Sequence, residues 1–266
     1  MKLKITVGIA LVMILSIWTG VVTAEIKEIV DTSSLEKGIV SIAYTGDDAS
    51  IYKVLIAKGE ERIIYPFSAD GVSETFPLQM GNGVYKIGLL KNTGGSKYAY
   101  VTSKTVDLQL EDSTVVYLNS IQNVKWDEAD PPILFGETLL KDVSLKRSKV
   151  KTLYDHMIVN MDYDYDKIPT LKPDYIPDIN STYAEMKGIC YDYSALFASI
   201  HRSQGLPVRL VKGYSRFVEG YHAWNEVFLN GKWYILDATV DSTWYGTKIT
   251  YEMYKDSDDY TKVYDY

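Results

Sequence analysis

Three residues in the C-terminal half of the chain have the side chains needed for nucleophilic catalysis at an acyl carbon: Cys190, His222 and Asp237. Cys190 is the single cysteine of the 266-residue chain and stands at the start of a predicted helix. Because helix N-termini favour negative charge, this position favours a thiolate. A thiolate, an imidazole that carries protons and a carboxylate that orients the imidazole can together transfer an acyl group through a covalent intermediate.

A predicted hairpin brings His222 and Asp237 together. Asn230-Gly231 separates two alternating runs, and a two-residue loop of this type pairs Leu229 with Lys232. In this register His222 and Asp237 lie on one face of the sheet as diagonal neighbours. We therefore expect Asp237 to accept a hydrogen bond from the imidazole, which would fix the orientation of the ring.

Each of these three residues also has an ordinary structural interpretation. Cys190 could be a core residue, His222 a hydrogen-bonded strand residue, and Asp237 a turn former at a strand end. In a secreted chain, an odd cysteine indicates either intermolecular pairing or a reactive thiol. The catalytic interpretation is favoured because all three residues occur together in a matching geometry.

The elements that must position these residues fall into two halves. Residues 25–125 contain short Val-, Ile- and Tyr-rich runs separated by turn residues, which predicts a β-sandwich-like domain. This half shows no catalytic pattern, so we expect a scaffold, spacer or binding module. Residues 126–144, with Pro131-Pro132, are predicted to form a linker.

Residues 145–266 are predicted to form an α+β catalytic domain. Apolar residues recur with helical spacing from 145 to 161, and a second helix is predicted from Cys190 to about residue 204. Strands follow at 208–214, 221–229 and 232–239, which predicts that the cysteine-bearing helix packs on an antiparallel sheet. The acidic run Asp162–Asp166 lacks the glycine and glutamate of an EF-hand, so we interpret it as a solvated turn and expect no metal site.

The N-terminal segment predicts export. Lys2 and Lys4 precede an apolar run, and Val22-Thr23-Ala24 provides small residues for cleavage, so residues 1–24 are typical of a signal peptide. An uncleaved membrane anchor is the alternative. Cleavage would leave a secreted or cell-wall-associated protein without stable membrane insertion. The net charge of −7 disfavours a nucleic-acid partner.

Four blocks in the C-terminal half resemble the transglutaminase-like superfamily. They are Lys187–Phe197, Gly205–Tyr214, Tyr221–Val227 and Trp233–Thr239, within a resemblance that covers about residues 145–240. The resemblance implies a papain-like α+β core with Cys190 as nucleophile, His222 as general base and acid, and Asp237 as the residue that orients His222. It also places Trp224, Asn225 and Glu226 beside the histidine as packing and supporting residues.

The second donor to a developing oxyanion is open at this stage. The backbone N–H of Cys190 is one expected donor, because amides at a helix start have no intrahelical partner. Tyr165 or Tyr183 could supply the other. The upstream Trp that serves in animal transglutaminases has no evident counterpart, since Trp126 is too distant in sequence.

The expected function is thiol-dependent acyl transfer at amide bonds of peptides or proteins, including cell-wall peptides, with no metal or cofactor. A primary amine would resolve the thioester in a transamidase, whereas water would do so in a peptidase or amidase. The alternative is a non-catalytic, wall-associated or adhesive module that retains the fold. A third hypothesis is a binding protein in which the β domain is the functional part.

Overall fold

The computed structural model describes residues 28–47 and 49–266, so the predicted signal peptide at residues 1–24 lies outside the described part of the chain. Helices occur together with antiparallel sheets, which confirms the predicted α+β class. In the part of the chain that the structure describes, every helix is too short or too polar to cross a membrane.

Among the described residues of the N-terminal half, seven strands form two antiparallel sheets. They are β1 (Val30–Asp31), β2 (Ile39–Ile42), β3 (Tyr52–Lys58), β4 (Glu61–Phe67), β5 (Glu74–Pro77), β6 (Gly83–Gly94) and β7 (Lys97–Leu108). The first sheet has the strand order β1-β2-β5 and the second β4-β3-β6-β7. Phe76 of the first sheet contacts Tyr65 and Phe67 of the second, with ring centroids 5.1 and 6.4 Å apart. The sheets therefore share an apolar core, in agreement with the sandwich-like prediction.

A helix, α1 (Pro131–Leu140), lies inside the segment 126–144 that the sequence predicts to be a linker. The two prolines do not stop this helix because they occupy its first turn, where a backbone N–H is not needed. Gly136 packs so closely on Ile200 that a Cβ at position 136 would lie 2.4 Å from Ile200 Cγ2. The linker prediction is therefore wrong for 131–140, whereas the limits of the two halves stay a prediction.

The C-terminal half combines four further helices with a five-stranded sheet and a two-stranded one. Its elements are α2 (Lys146–Asn160), β8 (Asp162–Tyr163), α3 (Ile179–Glu185), β9 (Lys187–Gly188), α4 (Cys190–Ser203), β10 (Val208–Ser215), β11 (Val218–Leu229), β12 (Lys232–Leu236), α5 (Ala238–Trp244), β13 (Tyr254–Lys255) and β14 (Tyr260–Asp265). The large sheet has the order β13-β12-β11-β10-β14, and α4 packs against β10 and β11. The structure therefore has the predicted cysteine-bearing helix on an antiparallel sheet.

The C-terminal segment 245–266 is integrated into this sheet, although the sequence suggests no element there. Its strand β14 pairs with β10 and is the edge strand of the sheet on that side. The buried guanidinium of Arg202 donates to the carbonyl oxygens of Tyr266 at 2.5 Å, Val208 at 2.9 Å and Asn119 at 2.9 Å. These bonds connect α4 to the tail, to the sheet and to the segment that follows the N-terminal strands.

A fully buried histidine lies on the core side of α4. The ring of His201 packs edge-on against Phe197 at 4.5 Å, and within the described residues neither ring nitrogen has a hydrogen-bond partner. Burial lowers the pKa of His201 to about 3, because a charged imidazole cannot be solvated there.

We predict that His201 makes the fold sensitive to mild acid. As the pH falls below about 6.5, the unfolded chain binds a proton at His201 that the folded chain does not bind until about pH 3. This single group should remove about 1.4 kcal/mol of unfolding free energy per pH unit in that window. Urea unfolding at pH 7.5, 6 and 5 should show a shallower pH dependence in His201→Leu than in the wild type. Equal slopes would contradict the prediction, and His156→Leu is the control at a partly exposed histidine.

Candidate active site

The hairpin that carries His222 has the predicted register. Asn230 and Gly231 both have positive φ, 51° and 82°, as a type I′ turn requires, and Leu229 pairs with Lys232. The pairing ends at Asn225 with Leu236, so β12 stops one residue before Asp237. The prediction that the strand continues to Thr239 is therefore wrong.

Asp237 ends the strand because its side chain caps the next helix. The carboxylate oxygen Oδ1 accepts the backbone N–H of Val240 at 3.0 Å, and α5 begins directly after it. The other oxygen, Oδ2, lies 2.8 Å from Nε2 of His222. Asp237 is fully buried, so these hydrogen bonds replace the water that the carboxylate loses.

The contact between His222 and Asp237 defines the state of the imidazole. An ionised carboxylate can only accept, so Nε2 donates, and Nδ1 is the ring nitrogen through which protons can be exchanged with another group. Burial alone would lower the pKa of His222. The charge and the hydrogen bond of Asp237, together with the nearby Cys190 side chain, instead raise this pKa to about 10. A cationic imidazole can therefore persist beside Cys190 at neutral pH.

Cys190 is the first residue of α4 and carries a free, partly exposed thiol. The turn before it is tight: a Cβ at Gly188 would lie 2.6 Å from Cβ of Asp192. The carboxylate of the buried Asp192 accepts the backbone N–H of Ile189 at 2.9 Å, and also accepts from Lys167 and Tyr175. These contacts connect the loop 166–180 to the start of the helix that presents the thiol.

A tyrosine that the sequence does not single out lies beside Cys190. Strands β8 and β9 pair in parallel with Tyr163 opposite Gly188, which brings Tyr163 next to the start of α4. The pKa of Tyr163 is raised to about 12, mainly by burial and next by the nearby Cys190 side chain, while a hydrogen bond from the Cys190 backbone N–H opposes the rise. The phenol of Tyr163 is therefore close to both the thiol and the amide of Cys190. The run Asp162–Asp166 is therefore not only a solvated turn, because its first two residues form β8 and place Tyr163 at the site.

The two tyrosines suggested as oxyanion donors occupy different places. Tyr165 contacts the ring of Tyr163 at a centroid distance of 4.7 Å and is largely exposed. Tyr183 packs on Phe135 at 5.2 Å, between α3 and α1. Of the three tyrosines, Tyr163 is the one that the structure places beside Cys190.

The residues that flank His222 on β11 support the site in different ways. The indole of Trp224 stacks beside the imidazole with centroids 6.2 Å apart and planes 28° from parallel. The side-chain amide of Asn225 donates to the carbonyl oxygens of Ser194 at 3.0 Å and Arg209 at 3.1 Å, which joins α4 to β10. Glu226 instead forms an ion pair with Arg209 at 2.9 Å.

Tyr260 is a second partner of the site that sequence reasoning missed. Its hydroxyl donates to Oδ2 of Asp237 at 2.9 Å, the same oxygen that contacts His222. The ring of Tyr260 also packs on Trp224, with centroids 5.0 Å apart. Tyr260 lies in the tail, where tyrosines are numerous, so no local pattern distinguishes it from its neighbours.

A cavity of about 370 Å³ opens beside His222. Aromatic and small polar side chains form most of its wall: Tyr163, Tyr165, Ile168, Phe217, Val218, Glu219, His222, Thr239, Val240, Thr243 and Trp244. Among the described residues, no group of three His, Cys, Asp or Glu side chains is arranged to hold a metal ion.

Residues 136–238 match the family model of the transglutaminase-like superfamily. This segment contains Cys190, His222 and Asp237, whereas Tyr260 lies beyond it. This segment is a transglutaminase-like domain. Members of the superfamily are usually cysteine enzymes. The match begins within α1 and ends at the first residue of α5.

The solved structures that resemble this chain have low sequence identity to it and low TM-scores. A candidate cysteine protease from Cytophaga hutchinsonii is 17% identical, has a TM-score of 0.46, and is matched over 86% of this chain and 76% of its own. The periplasmic domain of TgpA from Pseudomonas aeruginosa is 14% identical, with a TM-score of 0.38 over 76% and 71%. Red sea bream transglutaminase is 11% identical, with a TM-score of 0.31 over 76% and 48%. Likenesses this weak carry no argument about activity, and comparison with curated proteins gives no match.

We predict that Tyr260 tunes the imidazole of the transglutaminase-like domain. Its hydroxyl shares the Asp237 oxygen that holds His222, so removing it should strengthen the bond from that oxygen to the imidazole. In Tyr260→Phe, the pKa of His222 should rise by roughly half a unit. Imidazole NMR titration can measure this, since the chain has only three histidines. Tyr264→Phe in the same tail is the matched control, and an unchanged pKa in Tyr260→Phe would exclude this role.

Proposed function

We propose that the chain is an exported thiol enzyme that transfers acyl groups from amide bonds of peptides or proteins through a thioester on Cys190. The observation that carries the proposal is the buried 2.8 Å contact between His222 and Asp237, in a transglutaminase-like domain whose single cysteine begins α4 beside that histidine. Export rests on the leader-like residues 1–24.

The first half-reaction forms the thioester. The thiol proton of Cys190 moves to Nδ1 of His222, and the thiolate attacks the carbonyl carbon of the amide. The tetrahedral intermediate then collapses: the C–N bond breaks, and His222 gives its proton to the leaving nitrogen. Asp237 keeps the imidazole oriented and stabilises its cationic form, for which the raised pKa of His222 is supporting evidence.

The oxyanion is stabilised by two donors in this proposal. One is the backbone N–H of Cys190, which has no intrahelical acceptor at the first position of α4. The other is the hydroxyl of Tyr163, which lies nearer to Cys190 than the packing positions of Tyr165 and Tyr183 suggest for those two side chains. Donors of this kind act on charge that develops only in the transition state.

The second half-reaction releases the acyl group. Water or a primary amine attacks the thioester carbonyl while His222 accepts its proton, and the proton then returns to the sulfur as the C–S bond breaks. With water the product is a carboxylic acid, and with an amine it is a new amide. The cavity beside His222 is the place where the leaving group departs and the acceptor arrives.

We predict that Cys190 reactivity depends on His222. With residues 25–266, alkylation by iodoacetamide at pH 6 should be at least about tenfold slower in His222→Ala than in the wild type, because the cationic imidazole stabilises the thiolate. Asp237→Ala should lie between the two. The single cysteine makes mass spectrometry of the labelled protein unambiguous. A wild-type rate as slow as that of His222→Ala would count against an activated nucleophile.

The reaction itself can be tested with peptides that carry glutamine or asparagine amides, in the presence and absence of a fluorescent primary amine. Ammonia release or peptide cleavage without amine incorporation identifies hydrolysis, and incorporation identifies transamidation. Turnover should fall by about a hundredfold or more in His222→Ala. Tyr163→Phe should lower kcat by about tenfold or more with little change in KM, since an oxyanion donor acts in the transition state. Full activity of Cys190→Ala would refute the mechanism.

A further inference from the structure

Lys212 is a cation beside the nucleophile that the proposed mechanism does not use. It lies on β10 opposite Ala223, one position from the pair Gly213 and His222. Its Nζ lies 3.5 Å from the centroid of the Tyr191 ring, and Tyr191 directly follows Cys190. The ring of Tyr266 is also near, at 5.2 Å. The sheet therefore delivers this ammonium to the first turn of α4.

Lys212 differs from the other partly buried cations of the domain in its partners. Lys255 pairs with Asp241 at 2.5 Å, Lys167 with Asp192 at 2.7 Å, and Arg209 with Glu226 at 2.9 Å. The ammonium of Lys212 forms neither an ion pair nor a hydrogen bond with any residue in 28–47 or 49–266, although it contacts the two aromatic faces. Aromatic faces attract a cation more weakly than a carboxylate at contact distance does.

The surroundings make an unpaired cation costly at this place. Burial lowers the pKa of Lys212 to about 8, while the nearby Cys190 opposes that shift, so the side chain is still largely protonated at neutral pH. The N-terminus of α4 adds positive potential, and His222 adds a second cation on the neighbouring strand. An anion bound by the ammonium of Lys212 would offset the cost of burying that charge.

We propose that Lys212 binds a carboxylate of the acyl-donor substrate, adjacent to the carbonyl that Cys190 attacks. This inference rests on the proposed function and narrows its substrate to acidic peptides, in which the residue that supplies the acyl group has a free carboxylate. Both Lys212 and Cys190 are partly exposed, so a peptide extended over the thiol passes the ammonium. The ring of Tyr191 forms the floor of this subsite and fixes the lysine in place.

Two reagents of nearly the same size test the proposal without knowledge of the substrate. Iodoacetate has a carboxylate next to the carbon that sulfur attacks, whereas iodoacetamide has a neutral amide there. The measured quantity is the ratio of their rate constants for Cys190. We expect Lys212→Met, which keeps the apolar stem over Tyr191, to lower this ratio by about fivefold, and Lys212→Arg to keep it within about twofold of wild type.

The ratio separates substrate recognition from effects on the thiol itself. If Lys212 only stabilised the thiolate, both rates would fall together in Lys212→Met and the ratio would stay constant, which would overturn the proposal. Lys86→Met is the matched control, since it removes a lysine that lies 4.4 Å from the Tyr100 ring centroid in the N-terminal sheet. Lys212→Gln is the second neutral variant should methionine disturb folding, which circular dichroism would reveal.

Failure of the proposed function would look different. Slow reaction of wild-type Cys190 with both reagents, unaffected by His222→Ala, would reject the acyl-transfer proposal, yet the ratio in the Lys212 variants would still be measurable. Once turnover is found, KM for a γ-glutamyl amide should rise about fivefold in Lys212→Met, whereas KM for the 4-aminobutyryl amide, which lacks only the carboxylate, should not change. Equal effects on the two amides would also overturn the proposal.

Discussion

The site depends on the burial of one carboxylate. Asp237 has no exposed surface, so each oxygen must find donors within the protein. One oxygen ends β12 and starts α5 by accepting from Val240, while the other holds both His222 and Tyr260. A fold that satisfies this carboxylate must bring the hairpin, α5 and the tail to one point. The orientation of the imidazole is thus a consequence of the same constraint that assembles this end of the sheet.

The thiol is positioned by a second, independent set of contacts. Asp192 caps the start of α4 and accepts hydrogen bonds from Lys167 and Tyr175 of the loop 166–180. The pairing of β8 with β9 places Tyr163 beside the same turn. Asn225 then joins α4 to the strand that carries His222. Because this amide also donates to Arg209 of β10, it is held within the sheet, and a shift of α4 along the sheet would break its bond to Ser194. The relative position of thiol and imidazole is therefore fixed by buried polar contacts as well as by apolar packing.

What could be predicted from the sequence was mostly local. The Asn230-Gly231 turn fixed the register of β11 and β12, and that register brings His222 close to Asp237 even though β12 ends at Leu236. Tyr260 and Tyr163 could not be found in this way, because they reach the site through pairings with distant parts of the chain. The helix at 131–140 was missed because a Pro-Pro pair has the same appearance at a helix start and in a linker. Whether distant strands pair, and whether a Pro-Pro pair begins a helix, depends on tertiary packing. For α1, one such contact is the close packing of Gly136 on Ile200.

The surroundings of Cys190 are positively charged, whereas the chain as a whole is negatively charged. The sequence carries a net charge of −7, yet the imidazole of His222, the ammonium of Lys212 and the N-terminus of α4 all place positive potential near one sulfur. The proposed acyl-transfer steps use the imidazole of His222 and the N-terminus of α4, and they give the ammonium of Lys212 no role. Burying this ammonium against the aromatic rings of Tyr191 and Tyr266 costs solvation energy. This cost is offset if the substrate brings a second negative charge, as the proposed carboxylate subsite at Lys212 requires.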